Sequence, residues 1–279
     1  MKKIFTFIFI FFIAACININ LSSTRFVWIQ NDQDESIYIK VDGLNNAGYD
    51  KMVIIQHGLA SNMNHAAVQT AKKAFLDNGF VVVTFDGRYS LGKGNNDVEK
   101  VQLATFEKDL QSVIDWVQTQ PFYSEPFALV GHSLGGASVI QYGADHPDLT
   151  NILIPITPVI SGNLWEKSCM TNMAEFCEKW KQSGSYEYTD PENHKTAIIP
   201  FGVIASCNDY DANKLTKKIK PKTLLIAAQN DIVINPNDVQ TLSKKIKGGK
   251  AVIVKSADHN FSSEQNQSDL YMAIDTFLK

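Results

Sequence analysis

The sequence predicts an α/β domain built on a mostly parallel β-sheet with helices on both faces. From residue 52 onward, short apolar runs recur along the chain, and amphipathic helical patterns lie between them. Continuous apolar runs suit strands that are buried on both faces, as in a parallel sheet. Strands that alternate with helices indicate that helices cover both sides of that sheet. The length of 279 residues fits one large domain of this class or two small ones.

Eight segments of the chain are predicted strands. They are residues 25–30, 36–41, 52–56, 81–85, 127–130, 152–156, 223–227 and 251–254. The first two are more polar than the others and alternate between polar and apolar residues. Because alternation is typical of antiparallel strands with one solvated face, we expect these two to form a hairpin at an edge of the sheet.

Three helices are predicted from the spacing of apolar residues. The first covers residues 62–76, between two of the strands. In the second helix, one apolar stripe is formed by Phe106, Leu110, Val113, Ile114 and Val117. A closing helix has a similar stripe, formed by Leu270, Ile274, Phe277 and Leu278.

A long insertion interrupts this alternation. Between the predicted strands that end at residue 156 and begin at residue 223 lie 66 residues without a convincing strand, far more than a usual loop of about 2–6 residues. We interpret residues 160–200 as a helical cap over a site. Phe176 and Trp180 fall on one helical face, and we expect them to bind an apolar part of the substrate. The alternative, that they form only the core of the cap, stays open.

Composition and charge narrow the class of function. With 44% hydrophobic residues the chain is too apolar to be disordered. Its 26 basic and 29 acidic residues give a net charge of −3, and no basic stripe is visible, so nucleic acid is not an expected partner. Neither a metal-ligand spacing nor a dinucleotide fingerprint is present in the sequence, and we expect no cofactor.

The N-terminus has the pattern of a secretory signal. Two lysines precede an apolar run over residues 4–13, which is short for a membrane span, and small residues follow. The tetrapeptide Ile-Ala-Ala-Cys that ends at Cys16 resembles the bacterial lipobox. This resemblance implies removal of residues 1–15, a mature chain over 16–279, and a lipid anchor on Cys16 that holds the protein on the periplasmic or cell-surface face of a membrane. Plain secretion and an uncleaved anchor remain alternatives.

Three cysteines remain in the predicted mature chain. An exported protein meets an oxidising compartment, so a bridge between Cys169 and Cys177 is possible. On one continuous helix, eight residues would separate the two too far, so a bridge requires a break between them. Buried free thiols are the alternative, and Cys207 has no partner close to it in the sequence.

The clearest sign of chemistry is the run Gly-His-Ser-Leu-Gly around Ser133, directly after the apolar segment 127–130. G-x-S-x-G between a strand and a helix is the pattern of a serine nucleophile on a sharp turn. Such a turn has a strained backbone, and the glycines prevent clashes. The helix N-terminus that follows can place N–H groups near developing negative charge. The alternative is a tight turn whose serine only caps the helix.

Two further residues could complete a catalytic triad. His259 lies in the loop after the last predicted strand, where a base can reach the carboxyl edge of the sheet. Asp231 follows the strand over 223–227 at the same edge and could orient the imidazole. Asp258 is adjacent to the histidine in sequence, and Asp211 lies upstream of the strand, so both are less suited to this role.

We expect three other histidines to have no catalytic role. His132 precedes the serine, and we expect it to point away from the nucleophile and to have a structural role. His65 and His194 are expected to be solvated.

The chain order Ser133, Asp231, His259 resembles that of the α/β-hydrolases, and the resemblance covers about residues 50–279. Several stretches are similar to the lysophospholipase and monoacylglycerol-lipase branch, but Tyr89 replaces a glycine of that branch's Asp-x-Arg-Gly loop.

The resemblance implies an α/β-hydrolase fold and a serine hydrolase, like the lipases, esterases and lysophospholipases, that cleaves carboxylic esters through an acyl-enzyme. It also implies an oxyanion hole formed by the N–H groups of Leu59 and Leu134. Amide, peptide or thioester hydrolysis on the same triad remains an alternative. So does a surface lipoprotein that binds a ligand without catalysis.

Overall fold

A computed structural model describes residues 24–30, 35–45, 50–94, 97–191 and 194–279. The predicted signal and Cys16 lie outside these residues. Within the described ranges, no helix combines the length and the apolar content that crossing a bilayer requires.

The chain folds into strands and helices that alternate for most of its length. In chain order they are β1 (Thr24–Gln30), β2 (Ser36–Asp42), β3 (Met52–Gln56), α1 (Ala66–Asp77), β4 (Val81–Asp86), α2 (Leu103–Gln118), β5 (Phe127–His132), α3 (Leu134–Asp145), β6 (Thr150–Ile156), α4 (Gly162–Asn172), α5 (Ala174–Ser183), β7 (Ser185–Thr189), β8 (Thr196–Pro200), α6 (Gly202–Ala205), α7 (Ala212–Leu215), β9 (Lys222–Ala228), α8 (Pro236–Lys245), β10 (Lys250–Val254) and α9 (Glu264–Leu278).

Eight strands form one sheet in the order β1-β2-β4-β3-β5-β6-β9-β10. These are the eight predicted strands, with ends that differ by at most two residues. From β4 to β10 all neighbours are parallel, whereas β2 is antiparallel to both β1 and β4. The predicted edge hairpin is therefore confirmed. All six strands from β3 onward in this sheet run the same way, so the loops after their carboxyl ends gather at one edge.

Helices cover both faces of this sheet, and the alternation of side chains along β3 shows how. Val53 and Ile55 point to the face that is covered by α1 and α9, whereas Ile54 points to the face covered by α2, α3 and α8. This arrangement is the α/β-hydrolase fold that the sequence predicts. The first predicted helix begins four residues late, at Ala66, because His65 caps its N-terminus.

The insertion between β6 and β9 forms the cap, and its structure corrects one expectation. Helices α4 and α5 occupy the first part, as predicted. The second part is an antiparallel hairpin of β7 and β8, so the expectation of no strand before residue 223 is wrong. Residues 196–199 form a strand because their side chains alternate: Ala197 and Ile199 are buried, whereas Thr196 and Ile198 are exposed.

A disulfide joins Cys169 of α4 to Cys177 of α5, with the two Cα atoms 5.8 Å apart. The helical path breaks at Met173, where φ is −142° and ψ is 44°. A bridge across eight residues was expected to require such a break. Cys207 is a buried free thiol.

Candidate active site

Ser133 occupies a sharp turn between β5 and α3. Its backbone has φ 55° and ψ −116°, a region that residues with a Cβ atom rarely adopt. The turn is held because Ser133 N–H donates to the Ile156 carbonyl at 2.9 Å and the Ser133 carbonyl accepts from Val159 N–H at 3.1 Å. A side chain at Gly131 would collide with the backbone of Gly135. The spacing of the two glycines therefore follows from how closely strand and helix pass each other.

The structure brings Ser133 together with the two residues predicted to assist it. His259 Nε2 lies 3.0 Å from Ser133 Oγ. On the other side of the ring, His259 Nδ1 lies 2.7 Å from Asp231 Oδ2. The second carboxylate oxygen of Asp231 accepts the N–H groups of Val233 at 2.8 Å and Ile234 at 2.9 Å. Asp231 is thus oriented by the backbone and directs one oxygen to the imidazole.

The two competing aspartates face other groups. Asp258 Oδ1 accepts the N–H of Ser262 at 3.0 Å. Asp211 caps α7, where its carboxylate accepts the N–H of Asn213 at 3.0 Å. Neither carboxylate is placed against the His259 ring.

The loop after β3 passes directly beside the nucleophile. A Cβ atom on Gly58 would lie 3.0 Å from Ser133 Cβ and 3.0 Å from His132 Nδ1, so a side chain there would crowd the nucleophile. Leu59 follows Gly58 and lines the cavity above Ser133. Leu134 is the first residue of α3, so its N–H has no carbonyl within the helix to bind. These are the positions at which the resemblance implies two oxyanion donors.

A buried histidine supports this loop. His57 Nδ1 donates to the Gly58 carbonyl at 2.7 Å, and His57 Nε2 accepts from Gly87 N–H at 3.2 Å. A carbonyl can only accept, so the proton is on Nδ1. Burial lowers the pKa of His57, which favours this neutral form. His57 therefore links the predicted oxyanion loop to the loop after β4.

The loop after β4 is fixed by buried ion pairs around Arg88. Its Nε donates to Asp109 Oδ1 at 2.6 Å, and its Nη1 donates to Glu35 Oε2 at 3.0 Å. Tyr89, which stands where the related branch has glycine, donates its hydroxyl to Glu35 Oε1 at 2.7 Å. The larger side chain thus joins the network that holds the loop.

Two more histidines border the nucleophile. His132 Nε2 donates to the His259 carbonyl at 2.9 Å, a structural role like the one expected. His65 was expected to be solvated, but its ring stacks on that of His132 with centroids 4.7 Å apart. Burial lowers the pKa of His65 to about 4. Its Nδ1 accepts the N–H of Ala67 at 3.3 Å, which explains why the side chain turns inward to cap α1.

A cavity of about 330 Å³ lies above Ser133. Its floor and walls come from the loops around Leu59 and His259, and its roof comes from the cap. The roof residues, which follow or end β7, are Tyr188, Asp190 and Pro191. Asp190 is buried. The sequence prediction missed the roof because it missed the hairpin, whose signals are the alternation of Tyr186 and Tyr188 in β7 and of Ala197 and Ile199 in β8.

The structure does not bring Phe176 and Trp180 to this cavity. Trp180 is buried, its Nε1 donates to the Ile199 carbonyl at 2.9 Å, and its ring packs edge-on against Tyr186. Phe176 also packs against Tyr186 and is 39% exposed on its other side. These aromatic residues form the core of the cap, which is the alternative that the sequence left open, because α5 turns this face toward the hairpin.

The chain is similar to several known proteins. Residues 48–200 match the family described as "Serine aminopeptidase, S33". The chain is 23% identical over 237 residues to an Escherichia coli protein named "Uncharacterized 31.7 kDa protein in traX-finO intergenic region", which covers 74% of this chain and 82% of that one. It is 20% identical over 236 residues to the "Monoglyceride lipase homolog" of monkeypox virus, covering 77% and 84%.

Solved structures share the fold. Est1E from Butyrivibrio proteoclasticus, in a complex with ferulic acid, superposes with a TM-score of 0.73 at 17% identity, covering 90% of this chain and 97% of that one. The esterase Pf2001 from Pyrococcus furiosus superposes with a TM-score of 0.67 at 19% identity, covering 91% and 90%. At these identities the likeness shows a common α/β-hydrolase fold.

Proposed function

Because the chain belongs to the serine aminopeptidase S33 family, which is an esterase- and lipase-like family of α/β-hydrolases, we propose that it is a serine hydrolase that cleaves carboxylic esters. The observation that carries this proposal is the hydrogen-bonded series from Asp231 through His259 to Ser133, with distances of 2.7 and 3.0 Å, directly below a cavity. This series has the geometry of nucleophile, base and orienting acid.

In the proposed reaction, Ser133 Oγ attacks the ester carbonyl carbon while His259 Nε2 accepts the hydroxyl proton. The imidazolium then gives this proton to the leaving alcohol, and the acyl group stays on Ser133. A water molecule, deprotonated by His259, attacks the acyl-enzyme and releases the acid. Asp231 accepts a hydrogen bond from Nδ1–H, which leaves the Nε2 lone pair for the serine proton and stabilises the imidazolium.

The developing oxyanion would be bound by the N–H groups of Leu59 and Leu134. Leu134 contributes a donor from a helix N-terminus, where the partial positive charge of the backbone favours an anion. Loss of one such donor costs about 2.7–4 kcal/mol of transition-state stabilisation in serine hydrolases. The tight contact between Gly58 and Ser133 supports this assignment, because it fixes the Leu59 loop relative to the nucleophile.

The cavity favours a compact ester with a polar part. A volume of about 330 Å³ is at the lower end of ligand pockets, which span about 300–1,000 Å³. Its lining includes Ser61, His65, Asp190 and Asn260, and the cap aromatics that suggested an apolar acyl chain lie elsewhere. Of the compared structures, one holds ferulic acid and the other is an esterase, which supports an ester as the scissile group.

A specific observation favours a second candidate, hydrolysis of an amide next to a free amine. The matched family is described as an aminopeptidase, and a buried carboxylate, Asp190, lies in the roof of the cavity, where it could attract an ammonium group. Amides and esters of the same acids, offered as substrates side by side, separate the two functions.

We propose further that the protein is exported and lipidated at Cys16. Support comes from the lipobox-like sequence and from the Cys169–Cys177 bridge, since disulfides persist in oxidising compartments.

Covalent labelling tests the proposed function. A fluorophosphonate probe should modify wild-type protein at Ser133 and leave Ser133→Ala unmodified. Ser133→Ala should also lose ester turnover on the order of 10⁶-fold, as in other serine hydrolases, while its far-ultraviolet circular dichroism is unchanged. A wild-type protein that is folded but reacts with neither probe nor esters would refute catalysis and favour a non-catalytic ligand-binding protein.

A further inference from the structure

The opening hairpin exposes aromatic side chains on an edge of the sheet. Phe26 and Trp28 of β1 are 56% and 53% exposed, and they share one face because they are two residues apart on a strand. Tyr38 of β2 lies opposite Trp28, with ring centroids 4.7 Å apart, and stacks on Phe26 at 5.8 Å. Tyr38 is buried beneath them, and soluble proteins rarely leave two large rings together at the surface without a binding role.

Lysines surround these rings. Lys40 Nζ lies 5.5 Å from the centre of the Phe26 ring, and Lys93 Nζ lies 4.1 Å from that of Tyr38. Lys195 of the cap reaches across to the Gly92 carbonyl. We call the three rings and three lysines the hairpin surface; together, except for Trp28, they line a groove of about 760 Å³.

The groove has an excess of positive charge. Asp42, just outside the lining, pairs with Lys40 at 3.3 Å and with Lys72 at 3.5 Å. The lining itself contains three lysines and one carboxylate, Asp86. Both oxygens of that carboxylate are occupied by backbone N–H groups, from Met63 at 2.7 Å and from Lys93 at 2.9 Å. The hairpin surface is therefore locally cationic, although the whole chain has a net charge of −3.

The hairpin surface lies on the same edge of the sheet as the candidate active site. The register pairs Trp28 with Tyr38 and Tyr38 with Asp86, the last residue of β4, so Trp28 is at the carboxyl edge. The loop after β3 separates the two cavities: its residues up to Ser61 line the cavity above Ser133, and those from Asn62 line the groove.

The sequence before β1 places a membrane close to this surface. The apolar run over residues 4–13 and Cys16 precede Thr24, the first residue of β1. Thr24 is eight positions after Cys16, and an extended chain spans at most about 3.6 Å per residue, so β1 starts within about 29 Å of the lipid that we propose at Cys16. An uncleaved apolar segment would impose a similar limit.

From these observations we infer that the hairpin surface docks on an anionic phospholipid bilayer. Phe26 and Trp28 enter the boundary between headgroups and acyl chains, where aromatic residues concentrate, and Lys40, Lys93 and Lys195 contact lipid phosphates. A second copy of the chain is a poorer occupant, because its own three lysines would face Lys40, Lys93 and Lys195. A glycan would stack on the aromatic rings but would leave the positive charge of the lysines unused. The docked orientation turns the carboxyl edge, with Ser133, toward the bilayer.

Quenching by brominated lipid tests this inference on the full-length chain. The signal reports contact of Trp28 with lipid, whether or not the N-terminus is itself anchored in the membrane. Vesicles contain phosphatidylcholine brominated near the top of its acyl chains, with or without phosphatidylglycerol. We expect quenching of tryptophan emission that is mostly lost in Trp28→Phe, since Trp165 and Trp180 are buried. The fourth tryptophan, Trp116, is half-buried near the C-terminal end of α2, which lies at the opposite edge of the sheet. Phe26→Ser should weaken it, whereas Met272→Ser, at a residue that is 54% exposed on α9, should not.

The charge is tested separately. Phosphatidylglycerol should increase quenching, and Lys40→Gln and Lys93→Gln should each reduce the docking equilibrium about fivefold, with Lys247→Gln as the control. Circular dichroism verifies the fold of each variant. Equal quenching of wild type and Trp28→Phe, or quenching that ignores phosphatidylglycerol, would overturn the inference. Two other results would also overturn it. If acrylamide quenching of Trp28 fell as the protein concentration rose, without vesicles, the surface would bind a second copy of the chain. If Trp28 emission responded to soluble polysaccharide and not to vesicles, the surface would bind a glycan.

Discussion

His132 donates a hydrogen bond from Nε2 to the backbone carbonyl of His259 at 2.9 Å, so the residue before the candidate nucleophile holds the loop that carries the candidate base. The centroids of the two rings lie 5.1 Å apart, and it is His259 whose Nε2 lies 3.0 Å from Ser133 Oγ. Correct placement of His259 thus depends on two contacts, one to its ring from Asp231 and one to its backbone from His132.

The first prediction concerns this backbone contact. His132→Leu removes the donor, and we expect kcat to fall about 2- to 10-fold, the equivalent of one hydrogen bond of about 0.5–1.5 kcal/mol. His132→Gln can place its amide donor near the same carbonyl and should recover part of the loss. Steady-state kinetics on a soluble ester measure both. Equal losses in the two variants would show that volume, and not the hydrogen bond, matters at this position.

The second prediction concerns the acid. Asp231→Asn should keep the geometry but favour the wrong imidazole tautomer, and turnover should fall about 10⁴-fold by analogy with serine proteases. Asp258→Asn and Asp211→Asn should lose less than about tenfold, because their carboxylates bind backbone N–H groups away from the ring. Activity of all three is compared at equal folded fraction. The assignment fails if Asp231→Asn remains active while one of the others does not.

The third prediction uses the buried carboxylate in the roof of the cavity. Two charges 4 Å apart interact by about 4 kcal/mol at an effective dielectric constant of 20, so Asp190 should favour cationic substrates. Short-chain choline esters and their uncharged 3,3-dimethylbutyl isosteres have the same shape. Asp190→Asn should reduce the preference for the choline ester about tenfold, or about 1.4 kcal/mol, with little change for the isostere. Equal effects on both esters would mean that Asp190 only shapes the roof.

The fourth prediction concerns pH. The pKa of His65 is about 4 in the folded protein and 6.5 when exposed, because burial disfavours its charged form. As the pH falls from 6.5 to 4, the unfolded chain binds this proton first, so the contribution is complete above pH 6.5 and is lost through that window. His65→Asn keeps a good helix cap and removes the titration. Denaturant unfolding at pH 7 and pH 4.5 should show a smaller acid loss for the variant than for wild type; an unchanged loss would contradict the assignment.

The fifth prediction concerns the N-terminus. In a bacterial host, Cys16→Ser should abolish incorporation of a palmitate analogue and leave the precursor unprocessed. The Cys207→Ser variant, which changes a buried thiol outside the predicted lipobox, should incorporate label like wild type. Labelling of Cys16→Ser at the wild-type level would refute lipidation at that residue.

The strands and the triad positions could be predicted from the sequence because each depends on local signals. The buried strands are continuous apolar runs, and Ser133, Asp231 and His259 lie one, three and five residues after the ends of β5, β9 and β10. Parallel strands place such residues at one edge without any knowledge of long-range contacts.

The cap could not be predicted in the same way. Its hairpin is stabilised by the contact of Trp180 with Ile199 and of Phe176 with Tyr186, which join residues from separate elements. The aromatic spacing on α5 correctly indicated an apolar face, but it could not indicate what covers that face. The position of His65 was missed for a similar reason, since its stacking partner His132 is far away in sequence.

The positive φ of Ser133 places a limit on how stable this protein can become while it keeps its nucleophile. A non-glycine residue in such a conformation costs about 1–3 kcal/mol, against a typical total folding free energy of about 5–15 kcal/mol. Glycine at this position would relax the backbone and remove the hydroxyl in one step. Selection for thermal stability alone would therefore tend to replace this serine. A lineage that keeps the serine accepts a lower folding free energy, because the fold holds this position in a strained backbone conformation.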